Sequence, residues 1–271
     1  VRVGRGLLYV SSASAIGLGI RSVTKGAVDP EVTAAAILGF SGIVLAGVLE
    51  PRLSMFVDAV HAGEPRPDRP RIALTFDDGP SVTTTPRVLD ALAEAGAKAT
   101  FFVIGRKLAT SKEAAAIARR AHAEGHAIAC HGFAHDRLFA LRSARRVRQD
   151  LERALATIAE VVGVETKLFR PPIGHTNPTI ARIVDELDLT VVGFSVRGYD
   201  GTRAAEPERV LERVRSRLAD GAIVLLHDAA EREDFDPAAP RILPPLLAAI
   251  GAAGLAAVTV PALIGAEGAR T

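Results

Sequence analysis

Two histidines separated by three residues, His131 and His135, are the first sign of chemistry in this chain. On a helical turn an i, i+4 spacing sets both imidazoles on one face, where they can grip a single ion. A third ligand is needed, and Asp77 and Asp78 supply candidates. Adjacent carboxylates repel each other and are tolerated best beside a cation or in solvent. The competing reading of Asp77-Asp78-Gly79-Pro80 is a solvated turn, for which Asp, Gly and Pro are the common residues. An Asp-His-His set leaves positions open for water and substrate, as catalytic zinc sites do. Such an ion lowers the pKa of a bound water to about 7 and polarises a carbonyl. Zinc suits these ligands best, and cobalt, nickel and iron suit them as well.

The elements that must hold these residues alternate. Short apolar runs predict strands at Ile72–Phe76, Thr100–Val103, Ala127–Ala129, Lys167–Phe169, Thr190–Phe194, Ala222–Leu226 and Ala256–Val260. Helical patterns lie between them at Thr85–Ala95, Ser111–Glu124, Ser143–Val162, Pro178–Leu187, Pro207–Ala219 and Ile242–Ala253. This β/α alternation implies a parallel sheet with helices outside, open or closed into a barrel. Chemistry in such folds sits at the C-terminal ends of strands. There the sequence places Asp77-Asp78, His131, Arg170, Asp200 and His227-Asp228, so five strand ends converge on one rim.

The rest of the chain differs in kind. Residues Val32 to Leu49 carry no charge, and as a helix they would span about 27 Å, close to a hydrocarbon core of about 30 Å. A shorter uncharged run, Gly6 to Ile20, could be a first span packed against the second through small residues such as Gly17 and Gly19. Residues 1–60 therefore read as a membrane-anchoring segment of one or two helices. Arg2, Arg5, Arg21 and Lys25 precede the longer run and Arg52, Arg66, Arg69 and Arg71 follow it, so the positive-inside rule leaves the orientation open. Residues 61–70, "HAGEPRPDRP", read as a linker, and 71–271 as the catalytic body. The 271-residue chain has a net charge of +2 and no basic run interleaved with aromatics, which gives no reason to expect a nucleic-acid partner. Its one cysteine, Cys130, excludes an intrachain disulfide. With 4% aromatic residues and no Trp, Ala, Val and Leu must supply most of the core.

In order, "TFDDGP" at Thr75–Pro80, "HGFAH" at His131–His135, "RPPIG" at Arg170–Gly174 and "LLH" at Leu225–His227 resemble the motifs of the polysaccharide deacetylase family, carbohydrate esterase family four. The resemblance runs from Arg71 to about Leu263. It implies a distorted (β/α) barrel preceded here by the membrane-helix segment. It further implies Asp77 as general base, Asp78, His131 and His135 as metal ligands, and His227 as the acid that protonates the leaving amine. Arg170 would pair with Asp77 and hold it ionised, and Pro171 and the backbone N–H of Ile173 would lie at the substrate and oxyanion end. Three positions depart from the pattern. Gly132 replaces a Ser or Thr, Ile173 replaces a Tyr, and the fourth motif reads Arg197-Gly198-Tyr199-Asp200-Gly201, with Arg197 for an acid and Gly201 for a Trp. Asp200 is then the acid left to tune His227.

The expected activity is removal of N-acetyl groups from N-acetylglucosamine-containing glycans by a metal-activated water, in a protein anchored to the bacterial cytoplasmic membrane. The alternatives are an amidase or deformylase of a smaller or lipid-linked sugar amide, and an inactive glycan-binding protein. Among other residues, His175 could line the cleft or stand on a surface loop. His61, His122 and His126 read as structural or solvated, Cys130 as a buried small apolar residue, Asp228 as a cap, and Arg142–Arg148 as the solvated start of a helix.

Overall fold

The computed structural model describes residues 3–232 and 234–266. Arg2 and the last five residues of the expected catalytic body lie outside the described residues.

The leader forms two helices, α1 (Val3–Lys25) and α2 (Pro30–Leu49), packed against each other as a hairpin. The start of α2 is legible locally: Pro30 presets the first turn, and the Asp29 side chain accepts from Glu31 N at 2.8 Å. The uncharged run from Gly6 is thus the middle of a longer helix that also takes in Arg5, Arg21 and Lys25. Both helices are long and apolar enough to cross a membrane. Their apolar surface is not covered by the rest of the chain: Val10 is 68% exposed and Leu38 73%.

The body follows as β1 (Arg71–Asp77), α3 (Thr85–Glu94), β2 (Thr100–Val103), α4 (Gly105–Thr110), α5 (Lys112–Ala123), β3 (Ala127–Cys130), α6 (Ala144–Val162), β4 (Leu168–Phe169), α7 (Pro178–Glu186), β5 (Thr190–Val191), β6 (Val196–Arg197), α8 (Pro207–Arg215), β7 (Ile223–His227), α9 (Ala239–Ala252), β8 (Ala256–Val258) and α10 (Val260–Ile264). The strands pair in parallel in the order β5-β4-β3-β2-β1-β7-β6, and β8 pairs with the first half of β1. Four residues, 192–195, connect the two outermost strands, so the sheet curls until its edges nearly meet. This is the expected distorted (β/α) barrel.

One strand expectation changes here. Thr190–Phe194 is not continuous: Thr190 and Val191 pair with β4, and the chain then crosses the gap to pair Val196 and Arg197 with β7. The expected linker also proves partly fastened. Val60 N donates to Val191 O and Gly193 N to Val60 O, both at 2.8 Å, while Gly63 N donates to Gly221 O at 2.8 Å. Residues 60–63 therefore stitch the barrel seam. Gly193 is required at this seam, since a Cβ there would meet His61 Nδ1 at 2.1 Å.

Strand alternation sorts the side chains into two layers. On β1, Ile72, Leu74 and Phe76 pack outward into the large core under the helices, and Ala73 packs inward. Phe102, Ala129, Leu168 and Ile223 share the inner cluster with Ala73, and Val260 and Leu263 of α10 belong to it as well. The same parity carries the inner row upward to Asp77, His131, Arg170 and His227. Asp77 sits level with His227 in the β1–β7 register, and Cys130 level with Phe169 in the β3–β4 register.

Candidate active site

Sharp local turns follow the strand-end residues around the cleft. Asp78 follows β1 with φ +71°, His135 ends the β3 loop with φ +51°, and Ile173 and Tyr199 adopt φ +52° and +59°. Of the six described non-glycine residues with positive φ, these four line one cleft of about 490 Å³. Left-handed backbone at such residues costs about 1–3 kcal/mol each, so the packing around them must hold them in place.

Asp78, His131 and His135 come together with one ligand atom each within 4.8 Å of the others. His135 Nε2 lies 3.0 Å and His131 Nε2 3.5 Å from Asp78 Oδ1. Donors on a tetrahedral ion with bonds near 2.05 Å stand about 3.3 Å apart, so the spacing suits a divalent cation. His131 Nδ1–H donates to the Arg170 carbonyl at 2.8 Å, which leaves Nε2 as a lone pair facing the site. Asp78 Oδ1 is buried without a hydrogen-bond partner, which is a further sign that a ligand is expected there. Burial opposes the Asp78 charge, but the two imidazoles outweigh it and hold the carboxyl well below its ordinary range. For His135, burial disfavours the imidazolium, and the neighbouring Asp78 more than reverses this.

Asp77 faces the same space but is held from the other side. Arg170 Nη1 donates to Asp77 Oδ1 at 2.6 Å, while Asp77 Oδ2 lies 3.9 Å from His131 Nε2. The guanidinium is fully committed. It also donates to Thr75 Oγ1, Val192 O and Gly193 O, and it stacks over the Phe102 ring at 4.1 Å. Burial presses against its charge and Asp77 answers in part.

Across the cleft, His227 Nδ1–H donates to Asp200 Oδ1 at 3.0 Å, and Asp200 Oδ2 accepts from His227 N at 2.8 Å. Asp200 is entirely buried. Burial alone would lower the His227 pKa, yet the Asp200 carboxylate raises it to about 9. Gly201 explains how the loop reaches so close: a Cβ there would lie 2.8–2.9 Å from the His227 ring. Ile173 is 46% exposed on the rim, beside Pro171.

All nine residues singled out for metal, catalysis or substrate lie on or directly behind this cleft, and eight of them line it; Asp200 stands behind His227. Two supports, Asp150 and Glu231, escaped sequence reasoning, and a third, Asp228, reads there as a cap. Asp150 of α6 accepts from Phe133 N and Ala134 N at 2.7 and 3.0 Å, bracing the loop where Gly132 lacks a hydroxyl. Glu231 Oε1 lies 3.6 Å from His135 Nδ1 and its other oxygen pairs with Arg137 at 2.7 Å. Asp228 accepts from Thr85 Oγ1 at 2.5 Å and packs under Gly79, where any Cβ would strike its carboxylate. Burial pushes the Asp228 carboxyl up to about 7. Neither Asp150 nor Glu231 has a spacing signal in the sequence. His126 is buried and pushed down to about 4 by that burial, its Nδ1 accepting from Ala99 N, so it is structural. Cys130 is buried, its thiol raised to about 12 by burial.

The family description "Polysaccharide deacetylase" matches residues 64–192. The chain is 34% identical over 164 residues to a chitooligosaccharide deacetylase of Azorhizobium caulinodans, covering 60% of this chain and 76% of that protein. It is 35% identical over 158 residues to the peptidoglycan-N-acetylglucosamine deacetylase PgdA of Listeria monocytogenes, covering 58% of this chain but only 32% of that longer protein. Among solved structures, the carbohydrate esterase family four domain of a multidomain xylanase from the hindgut metagenome of Trinervitermes trinervoides superposes with a TM-score of 0.65 at 31% identity, over 74% of this chain and 92% of the domain. With Asp77, Asp78, His131, His135, Arg170 and His227 brought from four strand ends to one rim, and with these relatives, the chain belongs to the polysaccharide deacetylase family.

Proposed function

We propose that the protein is a membrane-anchored, metal-dependent N-deacetylase that releases acetate from N-acetylglucosamine-containing glycans. The observation that carries this reading is the three-part cleft: an Asp-His-His ligand set flanked by an arginine-held carboxylate and a carboxylate-supported imidazole. The relatives are named for deacetylation of chitooligosaccharide and of peptidoglycan N-acetylglucosamine.

Asp78, His131 Nε2 and His135 Nε2 would hold a divalent ion, zinc by preference. When bound, that ion supplies a Lewis acid for the acetamide carbonyl and activates water. Asp77 has one oxygen fixed by Arg170, so its other oxygen is free to take a proton from the attacking water. The backbone N–H of Ile173, with Pro171 setting the turn, serves the oxyanion. His227 has Nδ1 occupied by Asp200, so Nε2–H is the donor to the sugar nitrogen as the C–N bond breaks. Water thereby contributes oxygen to acetate and its protons to acid and amine. Asp77 and His227 must hold opposite protonation states together, and the raised pKa of His227 meets its half of that demand.

The test is metal analysis of the detergent-solubilised full chain, followed by acetate release from N-acetylchitotetraose and from peptidoglycan. One equivalent of zinc and turnover that Asp77→Asn abolishes, with zinc retained, are expected. Zinc without turnover on any N-acetyl glycan would overturn the reading.

A further inference from the structure

The end of the membrane hairpin is a wall of the cleft. Leu49, Glu50 and Arg52 line it, Thr176 N donates to Val48 O at 3.3 Å, and Arg52 Nη2 donates to Ser195 O at 3.0 Å. A second fastening, Arg5 to Asp58 at 3.0 Å, lies at the same end of the hairpin. An amide that reaches the ligand set therefore passes beside the residues where α2 ends. If the hairpin spans a bilayer, the cleft opens at its surface.

The same part of the rim is cationic. Arg52 and Arg197 bracket the Phe194 ring at 5.4 and 5.9 Å, and Arg197 also lies over Tyr199 at 4.6 Å. Both arginines are exposed, and among the described residues neither makes an ion pair. The acid closest in sequence, Glu50, spends an oxygen on Arg52 N at 3.1 Å rather than on a guanidinium. Arg197 pairs with Leu225 in the β6–β7 register, on the inward face and two residues before His227. Two residues of strand rise about 7 Å, roughly the span of one pyranose ring. Along the strand direction, an anion on Arg197 would then stand about one sugar from the level of His227. Planar guanidinium forks bind phosphate through paired hydrogen bonds, as they do carboxylate.

The hairpin adds an apolar track. Leu7, Val10, Ala36, Gly39, Phe40 and Ile43 line a groove of about 310 Å³ between α1 and α2. Ile43 and Leu49 lie on one helix about 9 Å apart, so α2 walls both the groove and the cleft.

We infer that the substrate is a lipid-linked amino sugar: an N-acylated hexosamine joined through phosphate to a membrane hydrocarbon chain, its phosphate on Arg52 and Arg197 and its chain along the hairpin groove. This rests on the deacetylase reading and narrows it from polymer to membrane-borne precursor.

Three probes separate the possibilities, using the zinc-loaded full chain in lipid nanodiscs: N-acetylglucosamine joined by diphosphate to a farnesyl chain, N-acetylglucosamine 1-phosphate, and N-acetylchitotetraose. The expected result is a kcat/KM for the farnesyl compound at least tenfold above both others. Arg197→Ala should cut that preference over chitotetraose at least tenfold, and Arg197→Asp further. Arg52→Ala should act in the same direction, and Arg197 is exposed enough to keep the test open if that variant misfolds. Equal turnover of the soluble phosphate overturns the lipid, and a preference untouched by both Arg197 variants overturns the phosphate site. Acetate from chitotetraose alone overturns this inference and leaves the deacetylase reading standing; acetate from no probe overturns both.

Discussion

At the scale of single residues, the cleft is a set of paired charges whose roles differ by what each is bonded to. On the proposed mechanism the His227–Asp200 pair should govern the alkaline side of activity. Folding raises the His227 pKa from 6.5 to about 9, so the acid form is present at neutral pH and is lost as pH rises through about 9. The same shift makes the pair stabilise the fold fully below pH 6.5 and cease to do so above about 9. Asp200→Asn should move the alkaline limb of the pH–rate profile downward and lower kcat at neutral pH; a limb that stays in place would assign it to another group. Gly201→Ala should lower kcat with little effect on metal content, because the added methyl lands on the His227 ring. Arg170→Ala strands a buried carboxylate, and urea unfolding should show a loss of about 3–5 kcal/mol. The residues that gather at the cleft were legible because strand-end polar residues and an HxxxH spacing are visible along one chain. Asp150 and Glu231 were not, because each reaches the site from a segment whose own pattern looks ordinary, and Asp228 reads as a cap because nothing local records its contact with Thr85.

At the scale of elements, short local signals were read well and long-range ones poorly. Asn177 accepts from Ile180 N at 2.7 Å with Pro178 at the first turn, and Ser111 caps α5 through Ala114 N, so both helices begin within one residue of the expected Pro178 and Ser111. Asn177→Ala should cost about 1 kcal/mol in thermal or denaturant unfolding. The end of the Thr190–Phe194 strand at Val191, and the separate pairing of Val196–Arg197 on the opposite edge, were hidden, since an apolar run does not record where its partners stop. The short helix α4 was missed for a related reason. Its start is set by Gly105 N and Arg106 N donating to Gly132 O and Phe133 O, contacts made 27 residues away in sequence. Those bonds, with Asp150, replace the missing hydroxyl of the His131 loop. Asp150→Ala should release two backbone N–H groups, cost about 1–3 kcal/mol, and weaken zinc binding in a competitive chelator titration.

At the scale of the molecule, catalytic body and hairpin meet rather than hang apart. Long apolar helices in the leader were foreseen from hydropathy and length, but the contact of α2 with the cleft was not, because no local pattern records which loop a helix end will touch. Metal removal tests the body as a whole: dialysis against a chelator should abolish turnover, and zinc should restore it. Persistence of full activity after verified metal loss would contradict the ligand assignment.

The stitch at the barrel seam changes where a self-sufficient enzyme begins. Val60 and Gly63 close a sheet that the rest of the chain leaves open, so the folding unit extends upstream of the proline-rich stretch that looks like its border. A fragment cut at Arg71 would expose the unpaired edges of β5 and β6 to solvent and to one another's copies. It should melt lower and aggregate more readily than one cut after the hairpin at Ser54. What the sequence presents as tether is, in the folded protein, the last strand-like closure of its barrel.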